Sequence, residues 1–255
     1  MYPILFRIGP ITIYTYGFAL ALAFLLSGLI IIREAKKAGI DHGKVMDVFF
    51  YSLLAGLIGS RILYVLFNMG DYWPHIWKIF LLWEGGLVFY GGLLGGAPVC
   101  LWLIHHYNLP VWPVIDIIIL PGPLAHAIGR IGCFMAGCCY GKSCAWPWAV
   151  IFTNKASLAP LNRAIHPTQL YSSSTNLLIF IILALVNRKK RFHGQILSVY
   201  LCLYPIGRII NEYFRADKRT VALYGPFTVT HLISMTMILS GLFLYYYLSK
   251  SCEQN

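Results

Sequence analysis

Long apolar runs separated by short polar connections make up most of this 255-residue chain. The first, Ile13 to Ile32, has about 20 residues and no charge, enough to cross a hydrocarbon layer as a helix. It ends in Arg33, Glu34, Lys36 and Lys37. Val45 to Phe67 is the second and carries Asp47 and Arg61. The third, 85–105, begins with the pairs Gly85-Gly86 and Gly91-Gly92, which permit close helix approach. The fourth, 112–135, is interrupted by Pro121-Gly122-Pro123, which marks a place for a re-entrant turn, because irregular backbone at that depth must line protein or a wet cavity. The fifth, 168–186, ends in Arg188-Lys189-Lys190-Arg191, the sixth, 195–214, contains Arg208 and Glu212, and the seventh is 227–248. The pattern predicts an all-α polytopic membrane bundle of about seven transmembrane helices around a central lipid-accessible cavity, as one integral membrane domain over 1–255. Residues 1–12 read as an interfacial lead-in, Trp73, Trp77 and Trp83 as an aromatic belt, and 141–167 as the longest polar connection.

Composition supports that class. Hydrophobic residues make up 58% and charged residues 11%, against about 25% charged in soluble domains. A net charge of +11 would point to nucleic acid in a soluble protein. Here it places basic residues against anionic membrane lipids, and no nucleic-acid partner is expected. No charged n-region and small-residue cleavage site frame a short apolar segment, so the first helix is expected to be kept. Basic clusters follow spans one and five, which predicts a cytoplasmic C-terminus, an external N-terminus and an external 141–167 connection in a bacterial inner membrane.

Ionisable groups within or beside the spans carry the functional information: Asp47, Arg61, Asp116, His126, Arg130, Arg208, Glu212 and Arg215. Each charge costs roughly 2.5–3.5 kcal/mol at a helix centre, so each should face the interior and find a partner. Arg208, Glu212 and Arg215 form a ladder on one helix face, read either as a self-satisfied ion pair or as a cationic pocket set by one carboxylate. Arg61, Arg130 and Arg208 together would hold an anion, and arginine's fork suits phosphate. In a membrane that phosphate belongs to a phospholipid. His126 stands one turn before Arg130 as a packing group or a base. Cys133, Cys138, Cys139 and Cys144 cluster in sequence. They admit a disulfide or structural thiols, a nucleophile or thiol relay, or a metal site, although spacings of five, one and five do not match the usual zinc pairs. No metal and no cofactor is expected.

Several separated segments resemble the bacterial prolipoprotein diacylglyceryl transferases over nearly the whole chain. They are Tyr16-Gly17, Gly59-Ser60-Arg61, Trp83 to Gly92, Gly129-Arg130-Ile131-Gly132 with Phe134 and Gly141, His166-Pro167-Thr168-Gln169-Leu170-Tyr171, and Arg208-x-x-x-Glu212-x-x-Arg215-x-Asp217. The resemblance implies transfer of a diacylglyceryl group from phosphatidylglycerol to the lipobox cysteine thiol of a prolipoprotein signal peptide, with glycerol phosphate leaving. It implies that Arg130 and Arg208 carry the phosphate, that Glu212 orients Arg208 and that Tyr16 contacts the head group. With the reading of the residues themselves, the catalytic candidates are Arg130, Arg208, Glu212, Tyr90, His126 and Cys138, and the phospholipid-binding candidates are Arg130, Arg61, Tyr16, Cys133, Gly141 and Arg215. The chain departs from the family pattern where Tyr90 replaces a histidine, Cys133 and Ala136 replace asparagines, and Cys138 and Ser172 replace glutamates. Either His126 or a tyrosinate beside Arg130 then serves as base, or the acceptor differs from a lipobox peptide. A phospholipid or anion transporter is the reading from another class, but no internal repeat supports it.

Overall fold

The computed structural model describes residues 1–9, 11–81, 85–216, 222–224 and 227–253. Trp83, Glu84 and Asp217, which contribute to the resemblance or the aromatic belt, lie outside the described residues. Two compact units are distinguished: residues 1–30 with 115–255, and residues 31–114.

The lead-in over 1–12 is folded into a ribbon, β1 (Ile4–Ile8) paired antiparallel with β2 (Ile11–Tyr14). Helix α1 (Thr15–Lys37) follows directly, with Thr15 Oγ1 donating to the Tyr2 carbonyl. Helix α2 (His42–Phe67) starts where Asp41 Oδ1 accepts from the amides of Gly43 at 2.9 Å and Lys44 at 3.3 Å, satisfying donors that a helix N-terminus leaves open. A single turn, α3 (Met69–Tyr72), leads into a 3-10 helix, Trp73–Phe80. Helix α4 (Phe89–His106) begins later than expected, because Gly85 and Gly86 adopt left-handed φ of 84° and 76° ahead of it.

In the second unit, α2 and α4 pack along glycine. A Cβ on Gly59 would run into the Gly91 carbonyl, and one on Gly91 into the Gly59 carbonyl. A Cβ on Gly95 would approach the Ala55 carbonyl to 2.5 Å. Of the two glycine pairs expected to allow close approach, Gly91-Gly92 does so, in the small-residue packing that membrane helices use, whereas Gly85-Gly86 lies ahead of the helix.

Helix α5 (Val111–Ile119) and helix α6 (Gly122–Ala136) meet at the Pro-Gly-Pro interruption. The Leu120 amide still bonds the Asp116 carbonyl and the Ala125 amide that of Pro121, so helical bonding continues on both sides of the prolines, which lack donors of their own. The two helices together form one apolar stretch of 26 residues, long enough for one membrane passage. Helices α7 (Thr168–Arg188), α8 (Gln195–Glu212) and α9 (Val229–Glu253) complete the set. Leu120, Ile179, Leu183 and Ile196 form a buried cluster of the first unit.

Among the described residues five stretches, α1, α2, α5 with α6, α7 and α9, are long and apolar enough to cross a membrane, so the chain reads as a multi-pass membrane protein. Helices α4 and α8 have 18 residues each and fall outside that set. Glycines with His105 and His106 dilute α4, while Arg208, Asn211 and Glu212 dilute α8.

The 141–167 connection is folded. Its ribbon, β3 (Val150–Ile151) with β4 (Ala164–Ile165), flanks a small core of Phe152, Ala159 and Ile165. Another ribbon, β5 (Ala222–Tyr224) with β6 (Phe227–Thr228), precedes α9.

Candidate active site

Helices α6, α7 and α8 border a narrow crevice in the first unit, with room for about one water. Its lining includes His126 and Arg130 from α6, Ser172, Thr175 and Asn176 from α7, and Tyr204, Arg208 and Asn211 from α8, with Arg215 just beyond. Two arginines from different helices, plus a third close by, thus border one space. Arg208 is ion-paired with Glu212 one turn on, and neither side chain is fully buried. The ion pair of the first sequence reading is present, and its arginine also lines the crevice.

Arg130 Nε donates to His126 Nε2 at 3.0 Å. A ring nitrogen that accepts a hydrogen bond has its lone pair engaged, so His126 here aims the guanidinium and is not free to take a proton. The imidazole also lies against Tyr204, with ring centroids 5.7 Å apart. Asn176 and Asn211 are buried, and their Oδ1 atoms have no hydrogen-bond partner among the described residues. Their amide nitrogens are used: Asn176 donates to the Ser172 carbonyl at 2.7 Å and Asn211 to the Thr168 carbonyl at 3.2 Å. Two unfilled acceptors therefore stand in the lining of a cationic crevice.

A second group of predicted residues gathers where α6 ends. Gly137 has φ of 78°, a left-handed conformation that suits glycine. Its amide bonds the Phe134 carbonyl and the Cys138 amide bonds the Cys133 carbonyl at 3.1 Å. This is the paired bonding of a Schellman cap, which folds the residue after the glycine back over the helix. Cys138 thereby returns to Cys133, and Cys139, itself left-handed with φ of 59°, completes the group. The three sulfurs all lie within 4.8 Å of one another. Cys144 is elsewhere, its sulfur accepting from the Trp146 amide. All seven cysteines are free thiols.

The His-Pro-Thr-Gln motif is what holds this cap. Thr168 Oγ1 donates to the Cys139 carbonyl at 2.8 Å and Gln169 Nε2 to the Cys138 carbonyl at 2.7 Å, and both side chains are 1% exposed. Tyr16 reaches the same place from α1. A Cβ on Gly132 would meet Tyr16 Cα at 3.2 Å, and the Tyr16 phenol interacts with the three thiols and with Arg130. Within the cluster, hydrogen bonds from Cys133 and Cys138, and then the charges of Arg130 and Arg215, hold the Cys139 thiol below its ordinary range. Its hydrogen bond to Cys133 pushes Cys138 the other way.

Three expectations take a different form. Arg61 is 3% exposed, and all five of its N–H donors meet backbone carbonyls, of Lys78, Ile79, Leu81, Gly85 and Gly86. It ties Lys78, Ile79, Leu81, Gly85 and Gly86 to α2 within the second unit, and none of its donors is left for an anion. Gly141 is fixed by packing: a Cβ there would meet the His166 and Phe214 carbonyls at 2.7 Å. Tyr90 stands at the start of α4 in the second unit, with its ring 6.0 Å from that of Phe89. Asp116, noted for its charge alone, accepts from the Gly194 amide at 2.8 Å, the Leu197 amide at 3.1 Å and Lys190 at 3.3 Å, so it caps α8 from α5. Asn176, Asn211, Gln169 and Cys139 were not predicted as site residues. The signal for the two asparagines was available in the sequence, as amides within apolar spans.

Residues 3–247 match the family model of prolipoprotein diacylglyceryl transferase. A protein of Clostridium tetani named phosphatidylglycerol–prolipoprotein diacylglyceryl transferase is 33% identical over 247 residues, covering 96% of this chain and 97% of its own. Proteins of the same name from Clostridioides difficile and Geobacter sulfurreducens are 34% and 32% identical. The first covers 98% of this chain and 96% of its own, the second 94% and 92%.

Proposed function

This chain belongs to the prolipoprotein diacylglyceryl transferase family, and we propose that it transfers the diacylglyceryl group of phosphatidylglycerol to a prolipoprotein, at the lipobox cysteine of its signal peptide. The observation that carries the reading is Arg130 and Arg208 lining one crevice from two helices. A phosphate ester leaving as glycerol phosphate needs positive donors fixed where its charge develops. Arg130, oriented by His126, and Arg208, oriented by Glu212, meet that need, with Arg215 adding positive charge. The open Oδ1 atoms of Asn176 and Asn211 suit the hydroxyls of a glycerol head group, which are donors. Tyr16, near the thiols and Arg130, fits a head-group contact.

The basic clusters at Arg33 to Lys37 and Arg188 to Arg191 support a bacterial inner-membrane location with those ends cytoplasmic. Seven alternating passages from an external N-terminus then bring the end of α6 and the 141–167 segment outside, with no re-entrant turn. That is the side on which a secreted acceptor arrives.

Purified protein in micelles containing phosphatidylglycerol and a lipobox peptide tests the reading. The expected result is equal amounts of glycerol phosphate and thioether-linked diacylglyceryl peptide, seen by mass spectrometry. Glycerol phosphate released equally without peptide would overturn it, as would movement of labelled lipid across vesicles with no change in its head group.

A further inference from the structure

We infer that Cys133, Cys138 and Cys139 form a three-thiolate seat for one zinc ion whose fourth position is open to the thiol of the acceptor peptide. The inference rests on the transferase reading and adds to it the group that activates the acceptor.

The geometry comes first. Tetrahedral zinc with bonds of about 2.3 Å holds sulfurs about 3.8 Å apart. The three sulfurs already lie within 4.8 Å, so rotation about side-chain bonds closes the site. The backbone beneath is fixed. The Schellman cap sets Cys138 over Cys133, and Thr168 and Gln169 grip the carbonyls of Cys139 and Cys138. Pre-positioned ligands of this kind are what a metal site needs. Among the described residues no fourth ligand joins the three, and Cys144, a few residues on, is engaged with the Trp146 amide. Structural zinc sites take four protein ligands, whereas three with an open position mark reactive ones.

Charge and softness agree. Three thiolates around Zn²⁺ carry a net −1, and a bound substrate thiolate makes −2. Arg130 and Arg215 interact with this cluster and offset that charge. Thiolates select zinc or copper(I) over harder ions. Zinc does no redox chemistry and deprotonates a coordinated thiol at neutral pH.

The step balances. The acceptor cysteine binds zinc through sulfur and gives its proton to water. The sulfur's electron pair attacks the glyceryl carbon that carries the phosphate. A C–S bond forms as the C–O bond breaks, and the electron pair of that bond leaves on glycerol phosphate, held by Arg130 and Arg208. No oxidant or reductant enters. Zinc at Cys133 and Cys138 thus supplies the thiol activation for which His126, bound to Arg130, is not free.

The test needs no variant at first. Reduced, chelator-stripped full-length protein in micelles is titrated with cobalt(II), then with zinc(II). The expected result is one metal per chain, a thiolate-to-cobalt charge-transfer band, and a change in that band when a lipobox peptide is added but not its Cys→Ser form. Cys133→Ser, Cys138→Ser and Cys139→Ser should each weaken zinc binding by at least about tenfold, and Cys144→Ser should not. An absent band, a band untouched by all three changes, or a disulfide among these cysteines in protein isolated without reductant overturns the site. So does a spectrum blind to the peptide thiol. Transfer by metal-free protein at the full rate overturns zinc but leaves the transferase reading standing. Zinc bound at one per chain with no transfer to any lipobox peptide overturns the transferase reading. Arg130→Ala should lose transfer yet keep zinc, which separates the two failures.

Discussion

Arg61 and Arg130 are both arginines set among glycines in apolar helices, and in sequence they look alike. In the second unit, Arg61 is shut away at 3% exposure with five carbonyls on its five N–H groups and the rings of Tyr64 and Tyr72 at 5.8 and 5.3 Å from its guanidinium carbon. In the first unit, Arg130 is half-buried, shares one N–H with a histidine, and lines a crevice beside Arg208. A guanidinium saturated by main chain is a strut, since moving it breaks the fold it ties. One held by side chains and facing a space can receive an anion. What distinguishes structural from functional charge in a membrane is therefore what its donors meet, not its depth.

Substitution sharpens that contrast, and the largest effect belongs to Arg130. Arg130→Ala removes a fixed cation from the proposed leaving-group site and should cut transfer by at least about 10³-fold. Folding is expected to survive, because the partner left behind is a neutral imidazole. Peptide lipidation per mole of protein, together with the melting temperature, checks both halves. Arg130→Lys keeps a point charge but loses the fork, so it should recover only part of the rate.

Arg61→Met should behave in the opposite way. Five carbonyls lose charged donors at once, and the expected loss of stability is at least about 3 kcal/mol. Yield and melting temperature should fall, while transfer per folded molecule stays within about twofold. A variant that melts normally yet binds lipid poorly would return Arg61 to the anion site. Asp116→Ala belongs beside it. Removing a buried carboxylate that caps α8 and holds Lys190 should cost about 3–5 kcal/mol, again as a stability loss. Guanidinium melts of the purified protein measure it.

Helical spans, the glycine-rich approach of α2 to α4 and the arginines that line the crevice were legible because each has a local signature: run length, small-residue spacing, charge in an apolar run. The ribbons β1 with β2 and β3 with β4 were not. Both are short, and Phe152 is buried by partners such as Ala159 and Ile165 that no periodicity announces. Arg61 was misread because its partners are carbonyls 17 to 25 residues away, and every residue type carries a carbonyl. The cysteine cluster was visible in sequence, but not that Cys133, Cys138 and Cys139 converge while Cys144 stands apart. The cluster's spacing of five is that of a helix cap, with Gly137 as the visible sign. The crevice acceptors Asn176 and Asn211 matter only because their oxygens have no partner among the described residues, which no sequence pattern announces.

Glu212 supplies the smallest and most discriminating effect. It holds Arg208 through an ion pair on one helix face, partly exposed on both sides. Glu212→Gln keeps a hydrogen-bond acceptor at the same length of side chain and removes only the charge. Charge-assisted hydrogen bonds are about twice as strong as neutral ones, so the aim of Arg208 loosens by roughly 1.4 kcal/mol, or about tenfold in rate. If Arg208 binds the phosphate mainly as the C–O bond breaks, kcat should drop and KM for phosphatidylglycerol should hardly move. Equal changes in KM alone would make Arg208 a ground-state anchor. A change in melting temperature with no change in either constant would make the pair another strut, on the Arg61 side of the comparison.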